Sequence, residues 1–267
     1  MGLFALSTLF PESETSTLNY DNDSLLAFKA SSHPDTLYLH QARKQPDFHK
    51  FVEAMEEEIK GNVSNNNYEL IPIHNVPKDT IILSSVWALR RKRDIKTQQV
   101  KRWKARLNVD GSRMIKGKHY EQTYAPVSSW AIIRLLLIIA LNQNWHTIQI
   151  DYTMAFPQAP IERPLYMHIP KGYTINEGNP KDYALKLNKN LYGQKQAGRV
   201  WNEYLVSKLF EIGFQQSKFN ECIFYKKDII YLLYTDDSII MGPDRKEIDN
   251  TIKDIQDYGL KITVDGT

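Results

Sequence analysis

One cysteine, Cys222, in 267 residues excludes an intrachain disulfide and a cysteine-built zinc site, and suits a reducing compartment. The seven histidines carry no ligand spacing. Long apolar runs are missing too. The most apolar stretch, Ala131 to Leu141, is broken by Arg134 and falls well short of the roughly 20 residues a membrane span needs, so it is read as a buried helix. Positions 1–28 hold no Lys or Arg, which removes the basic start of a secretory signal, and Leu6 stands where N-myristoylation wants Ser or Thr. With no internal repeat either, these absences point to a soluble, intracellular, cytoplasmic chain of one or two ordinary domains.

What is present is unevenly placed charge. The formal net charge is only +3, but a polyanion senses local charge rather than the sum. Positions 90–106 concentrate Arg90, Arg91, Lys92, Arg93, Lys96, Lys101, Arg102, Lys104 and Arg106 against one acid, Asp94. A charge run is commonly just a solvated face. Here Trp103 is interleaved with the cations, and an aromatic beside them offers the stacking surface that single-strand binders use.

Residues 1–45 are polar and aperiodic, and are expected to be variable and disordered. The spacing then predicts a helix starting at Pro46 and Asp47, with Phe48, Phe51, Met55 and Ile59 inward, Glu56, Glu57 and Glu58 on the wet face, and a stop at Gly61. Two β-type runs, Ile81 to Arg93 and Gln99 to Val109, form a long basic hairpin. Ser128 or Ser129 caps the apolar helix, a strand from His146 to Tyr152 delivers Asp151, and the proline-rich segment from Pro157 to Pro180 reads as irregular. A second amphipathic helix carries Trp201, Tyr204, Leu205, Leu209 and Ile212 and stops at Gly213. Strands Cys222–Tyr225, Ile229–Tyr234 and Ser238–Gly242 follow, and a last helix begins at Asp244 and stops at Gly259. Helices mixed with antiparallel hairpins make an α+β layered fold.

Three carboxylates stand out: Asp151, ending an apolar strand, and the pair Asp236 and Asp237 at the tip of an apolar hairpin. Asp is a favoured turn residue, so such a pair is often turn chemistry alone. The flanks, Tyr231 to Tyr234 and Ile239 to Met241, argue otherwise, because they would hold both carboxylates at a largely buried edge where like charges raise each other's pKa. A divalent cation removes that cost. Nucleotidyl transfer supplies a reason for it: two Mg²⁺ ions about 3.5–4 Å apart activate a primer 3′-hydroxyl and stabilise the departing pyrophosphate, with carboxylates on rigid strands as sufficient support. The triphosphate needs further cations, and Lys104 and Arg106 near the end of the basic hairpin can supply them.

Six boxes follow one another in a fixed order: WKARL at 103–107, HYEQTYAPV at 119–127, IQIDYTMAF at 148–156, LYMHIPKGY at 165–173, LYGQKQAGRVW at 191–201 and YTDDSIIMG at 234–242. In that order, and over residues 46–265, they resemble the reverse transcriptases of copia-type LTR retrotransposons, the last box being similar to the family's YVDD. The resemblance implies an RNA-directed DNA polymerase with the fingers and palm of a right-hand fold, an antiparallel palm sheet packed on helices. Residues 46–127 would form a fingers-like region, 128–243 the palm with 157–195 contributing to the fingers, and 244–267 the start of the remaining palm or connection.

Carried over by position, Asp151, Asp236 and Asp237 would be the catalytic metal ligands for two Mg²⁺ ions, with Mn²⁺ a possible substitute. Lys104, Arg106, Phe156, Gln196 and Tyr234 would bind the dNTP, with the Phe156 ring excluding a 2′-hydroxyl. Arg90, Arg91, Arg93, Lys101, Arg102, Trp103, Lys195 and Arg199 would contact an RNA or DNA template and its primer. The family's parent polyprotein adds integrase and RNase H segments and assembles in virus-like particles, and the resemblance stops at Thr267 where the family continues. This chain departs from the pattern at Thr235 for Val, at Gln194 and Gly198 for Leu and Pro, and at Asn108 and Asp110 after KARL, none of which removes a metal ligand. Two other readings stay open: a degenerate remnant that binds nucleic acid without catalysis, and an unrelated α+β binding module.

Overall fold

Apolar residues at helical spacing alternate along this chain with runs of period two, and the computed structural model, which describes residues 34–175 and 178–265, resolves them into three sheets and four substantial helices. In chain order these are β1 (Thr36–Tyr38), α1 (Phe48–Ser64), β2 (Tyr68–Pro72), β3 (Ile82–Leu83), β4 (Ser85–Arg93), β5 (Val100–Val109), α2 (Trp130–Asn142), β6 (His146–Tyr152), β7 (Pro160–His168), β8 (Tyr183–Lys189), α3 (Ala197–Glu211), β9 (Gln215–Gln216), β10 (Ile223–Lys226), β11 (Ile229–Tyr234), β12 (Asp237–Gly242), α4 (Arg245–Asp257) and β13 (Ile262–Asp265). The α+β class holds: helices pack on sheets that are antiparallel apart from the β3–β7 pair.

The basic hairpin of β4 and β5 forms a three-stranded sheet with β1. Residues 34–45, expected to be disordered, are thereby ordered in part, because Thr36 to Tyr38 pair with Ala88 to Arg90; residues 1–33 lie outside the described residues. Helix α1 lays Phe51, Ala54 and Met55 on this sheet's core. It runs through Gly61 to Ser64 and stops only where Asn66 takes a left-handed φ of 52°, so the expected stop at Gly61 is corrected. One interior glycine costs a helix only about 1 kcal/mol, which packing overrides.

A second sheet of order β2-β8-β7-β3 shares that core. Much of the segment read as irregular, 157–180, is strand β7. Its prolines obscured the pattern, and the pairing register shifts between Pro160 and Leu165, the bulged setting in which a strand tolerates proline. The run expected from Ile81 to Arg93 is likewise two strands, since Ile82 and Leu83 pair with β7 rather than β5.

The third sheet, β13-β6-β12-β11-β10-β9, carries the candidate site. One face presents Ile148, Ile150, Tyr152, Tyr231, Leu233 and Ile240 to Trp201, Leu205 and Leu209 of α3 and Ile248, Ile252 and Ile255 of α4. Full burial of each aliphatic side chain there contributes about 1.5–3 kcal/mol. Among the described residues the opposite face meets α2, through Ile133, Leu136 and Ala140 against Ile223, Leu232 and Met241. Helix α2 is therefore not the buried helix expected: Trp130 is 62% exposed and Leu141 77%, because nothing among the described residues covers its outer side. It is capped as anticipated by Ser129, whose hydroxyl accepts from the Ile132 N–H.

Candidate active site

Period-two burial along β6 puts Ile148, Ile150 and Tyr152 inward and leaves Asp151 on the other face. Asp151 is the direct cross-strand partner of Asp237, which opens β12, and the Tyr152 N–H donates to the Asp236 carbonyl at 3.2 Å. Asp151 and Asp237, 86 positions apart, thus meet by register, at the Cα separation of about 4.5–5.5 Å of opposed antiparallel residues. Thr263 of β13 stands on the other side of Asp151. Asp151 and Asp237 are exposed and Asp236 half-buried. The largely buried edge expected from the flanking residues is corrected: Tyr231, Leu233 and Ile240 face α3 and α4, whereas the aspartates lie at the strand ends on the α2 face, where Asp151 and Asp237 are exposed.

Beneath the aspartates the sheet is tied by polar groups. The Tyr152 hydroxyl bonds that of Tyr231 at 2.7 Å, and Tyr231 bonds the Ser238 hydroxyl at 2.6 Å; burial pushes both phenols far above the ordinary tyrosine pKa, so they stay neutral. Above them the tip of the β11–β12 hairpin is Thr235 and Asp236, flanked by the paired Tyr234 and Asp237. Thr235 has φ +59°, a left-handed conformation that a β-branched residue rarely accepts. The Trp201 indole N–H donates to its carbonyl at 3.1 Å and holds it there.

The aspartates offer the hard oxygen donors that Mg²⁺ takes, on adjacent strands with an open face, so the donor chemistry fits. Among the described residues, no three His, Cys, Asp or Glu side chains are gathered into a metal-ligand cluster.

Beside this sheet, an aromatic and cationic group connects the two halves of the structure. A tight turn, with Met154 at φ +51°, leads from β6 into a single helical turn, Ala155–Gln158, that bears Phe156. The Phe156 ring lies 4.9 Å from that of Tyr192, and the Arg106 guanidinium sits over the Tyr192 ring at 4.3 Å. Lys104, two residues back on β5, is half-buried; burial, then repulsion from Arg106, lowers its pKa. Under the hairpin lies Glu58, which was expected to be solvated. It is half-buried, its carboxylate accepts the Leu107 N–H at 3.2 Å on the free edge of β5, and burial raises its pKa against the opposing effects of that bond and of Arg106 and Lys104.

The hairpin cations divide by face. Arg90 opposes Lys104 and Lys92 opposes Arg102, two like-charged pairs on one face, an arrangement that destabilises a sheet unless an anion lies against it. Exposed Lys101 lies nearby at the bulge end. On the other face Arg91 grips Asp47 through two bonds of 2.8 and 2.6 Å, the Trp103 indole donates to the same carboxylate at 2.6 Å, and Arg93 pairs with Asp35 at 2.7 Å. Arg91, Arg93 and Trp103, expected on the template, are thus occupied in holding α1 and the chain before β1 to the hairpin. Asp47, expected with Pro46 to start α1, occupies the N-cap position but makes no cap bond with its side chain. The Arg91 guanidinium holds its carboxyl far below the usual carboxylate range.

The remaining candidates also sort by surroundings. Arg199, expected on nucleic acid, is tied instead to Glu162, Glu203 and the Gln122 carbonyl. Lys195 is exposed and lies 5.5 Å from the centre of the Tyr120 ring. Gln196 is only 2% exposed and donates to Gln194, so its side chain does not reach the cleft surface in this conformation. Tyr234 shares the aspartates' face and packs on Trp130 of α2 at 5.6 Å. Tyr192 and Glu58 were missed. Tyr192 lay inside a recognised box without an assigned role, and an isolated glutamate at the edge of an acidic run carries no sequence signal of burial.

The profile of the family described as reverse transcriptase (RNA-dependent DNA polymerase) matches residues 65–262. The chain is 31% identical over 212 residues to the Retrovirus-related Pol polyprotein from transposon TNT 1-94 of Nicotiana tabacum, an alignment covering 78% of this chain and 16% of that protein. It is 33% identical over 213 residues to the corresponding polyprotein from transposon RE1 of Arabidopsis thaliana (78% and 14%), and 32% over 227 residues to that from transposon RE2 of the same plant (84% and 15%). The chain thus spans about a sixth of the length of the curated relatives it matches. On this likeness, which runs through both the hairpin sheet and the aspartate-bearing sheet, the chain belongs to the reverse transcriptase family in its copia-type retrotransposon branch.

Proposed function

We propose that this chain is the RNA-directed DNA polymerase part of a copia-type retrotransposon polyprotein, joining dNTPs to a primer 3′-hydroxyl on an RNA or DNA template. The observation that carries the reading is the register that sets Asp151 opposite Asp237 with the Asp236 carbonyl bonded between the strands. The three carboxylates would hold two Mg²⁺ ions, or Mn²⁺ in their place. When bound, such ions lower the pKa of the attacking hydroxyl and offset charge on the leaving oxygen. The chain's own residues align the reactants: the primer 3′-oxygen attacks the α-phosphorus as its proton passes to solvent, a new P–O bond forms while the bridging bond from the α-phosphorus to the β-phosphate oxygen breaks, and pyrophosphate departs with that electron pair. Arg106 and Lys104 meet that triphosphate, and Phe156 faces the sugar. The six-stranded sheet with α2, α3 and α4 would be the palm, and the two smaller sheets with α1 the fingers.

Support for the nucleic-acid part comes from the hairpin face on which Arg90, Lys92, Arg102 and Lys104 oppose one another, since phosphates offset the repulsion. Integrase and RNase H segments would accompany the domain in the intact polyprotein, within the cell interior. Among the described residues no helix is long and apolar enough to cross a membrane.

A second reading, a remnant that binds nucleic acid without catalysis, draws on the lack of a gathered three-ligand cluster among the described residues. One assay separates the two. Purified chain is given a labelled primer on an RNA template with dNTPs and either Mg²⁺, Mn²⁺ or EDTA. Weak extension that needs the metal and vanishes in Asp236→Asn is the expected result. Extension surviving that substitution would remove Asp236 from the metal assignment, and binding without extension in any metal would favour the remnant.

A further inference from the structure

Tyr192 connects the triphosphate cation to the sugar-facing ring, and three sets of observations define the connection. Its ring is covered on one side by the Arg106 guanidinium at 4.3 Å, a cation–π geometry, and contacts Phe156 at 4.9 Å with the planes tilted by 43°. Its carbonyl accepts the Val109 N–H at 2.8 Å, which fastens it to the end of β5, the strand that carries Arg106. The residue after it, Gly193, has φ +87°, and a Cβ there would come within 2.1 Å of the Val109 carbonyl oxygen; a Cβ on Gly111 would come within 2.2 Å of the Gly193 oxygen. Two glycines therefore let the turn and the hairpin end approach backbone to backbone. The ring does not depend on its own rotamer alone, because the chain carrying it is clamped to the strand whose arginine it supports.

We propose that Tyr192 is a positioning residue for the incoming nucleotide, fixing Arg106 for the triphosphate and Phe156 for the sugar at a set separation, so that phosphate grip and deoxyribose selection are coupled through one ring. An arginine on an edge strand has several rotatable bonds, and confining its head over an aromatic face removes most of that freedom before the ligand arrives. Phe156 sits on a one-turn helix after a left-handed Met154, a short support that gains rigidity from the neighbouring ring. The phenol hydroxyl has no part in this role. Glu58 lies near enough to influence both Tyr192 and Arg106 electrostatically.

This inference rests on the polymerase reading, and its test separates the two. dTTP and UTP binding to the chain on a poly(rA)–oligo(dT) duplex whose primer ends in a dideoxynucleotide, with Mg²⁺ present, is measured by titration calorimetry, so that no turnover occurs. Tyr192→Leu is expected to weaken dTTP binding about tenfold, the size of a partly desolvated cation–π contact, and to narrow the preference for dTTP over UTP. Tyr192→Phe restores both to within about twofold, since the ring is kept. Arg106→Ala combined with Tyr192→Leu is expected to lose no more dTTP affinity than Arg106→Ala alone, because one residue acts through the other. Should the leucine variant fail to fold, Tyr192→Met, which keeps the bulk without the ring, gives the same readout. Unchanged dTTP affinity and sugar preference in a folded variant, or fully additive losses with Arg106→Ala, would overturn this inference alone. A wild-type chain that binds no dTTP would overturn the polymerase reading and this inference with it.

Discussion

Asp151 and Asp237 stand directly opposite each other on β6 and β12, two carboxylates on one face of a sheet at a spacing where like charges normally lower stability. A bound cation at this point would stabilise the folded chain only. Millimolar Mg²⁺ is therefore expected to raise the wild-type melting temperature by about 2–4 °C, equivalent to ~1 kcal/mol in a chain of this size, and to leave Asp151→Asn and Asp237→Asn unmoved. Calorimetric melts against EDTA check this. Equal shifts in all three proteins would locate the ion elsewhere.

The division of the hairpin into a like-charged face and an acid-paired face gives opposite outcomes for neighbouring residues. Replacing both Lys92 and Arg102, which oppose each other, by alanine should reduce the slope of log affinity against log salt for a single-stranded oligonucleotide by about 1.4, at ~0.7 per phosphate contact. Stability should hold or rise, as a repulsive pair is removed. Arg91→Ala should leave the slope nearly unchanged and lower stability by about 2–3 kcal/mol, since it leaves Asp47 without its bidentate partner. Anisotropy titrations at several salt concentrations, with melts on the same samples, decide. A steep loss of slope in Arg91→Ala would put that residue back on the template.

Asp47 makes acid sensitivity a local property. Its carboxyl is held below the unfolded value of about 3.9 by the hydrogen bonds and charge of Arg91, with the Trp103 indole adding a further bond. A group with a depressed folded pKa contributes stability that is fully present above the unfolded pKa and is lost as pH falls through the folded one. The contribution should thus be intact near neutrality and decline below about pH 4. Asp47→Asn is expected to be less stable at pH 7 and to show a flatter fall between pH 4 and pH 2 in urea titrations. Parallel curves for wild type and variant would rule out this pair as the source.

Element type was legible where period and burial agreed. The 3.6-residue spacing of Phe51 and Met55, the alternation around Asp151 and the turn flanking Asp236 all lie where the pattern placed them. Strand β7 was hidden because Pro160 and Pro164 sit within it, and β2 because its five residues, Tyr68 to Pro72, carry no clean alternation. The solvent side of α2 could not be foreseen, since a helix apolar all round reads as buried. In the candidate site, residue identity proposed the three aspartates and Arg106. It could not say that Arg91, Arg93 and Arg199 would be taken by acids distant in sequence, Asp47, Asp35 and Glu162, because ion pairing of that kind is decided by the tertiary register alone.

The same register leaves strain at the hairpin tip. Thr235 holds φ +59° between Tyr234 and Asp236, at a position where a two-residue hairpin wants glycine, asparagine or aspartate. The left-handed conformation costs a branched residue about 1–2 kcal/mol, and the Trp201 indole bond to the Thr235 carbonyl helps maintain it. Thr235→Gly removes the steric penalty, keeps the carbonyl, and adds back part of the gain as unfolded-chain entropy. The net expectation is a melting temperature higher by about 2–3 °C. Because the tip also sets the direction of Asp236, the glycine variant is expected to extend primers more slowly than the parent even as it becomes more stable. A variant that melts no higher would show that Thr235 is not strained, and one that gains both stability and rate would show that the strain serves no alignment.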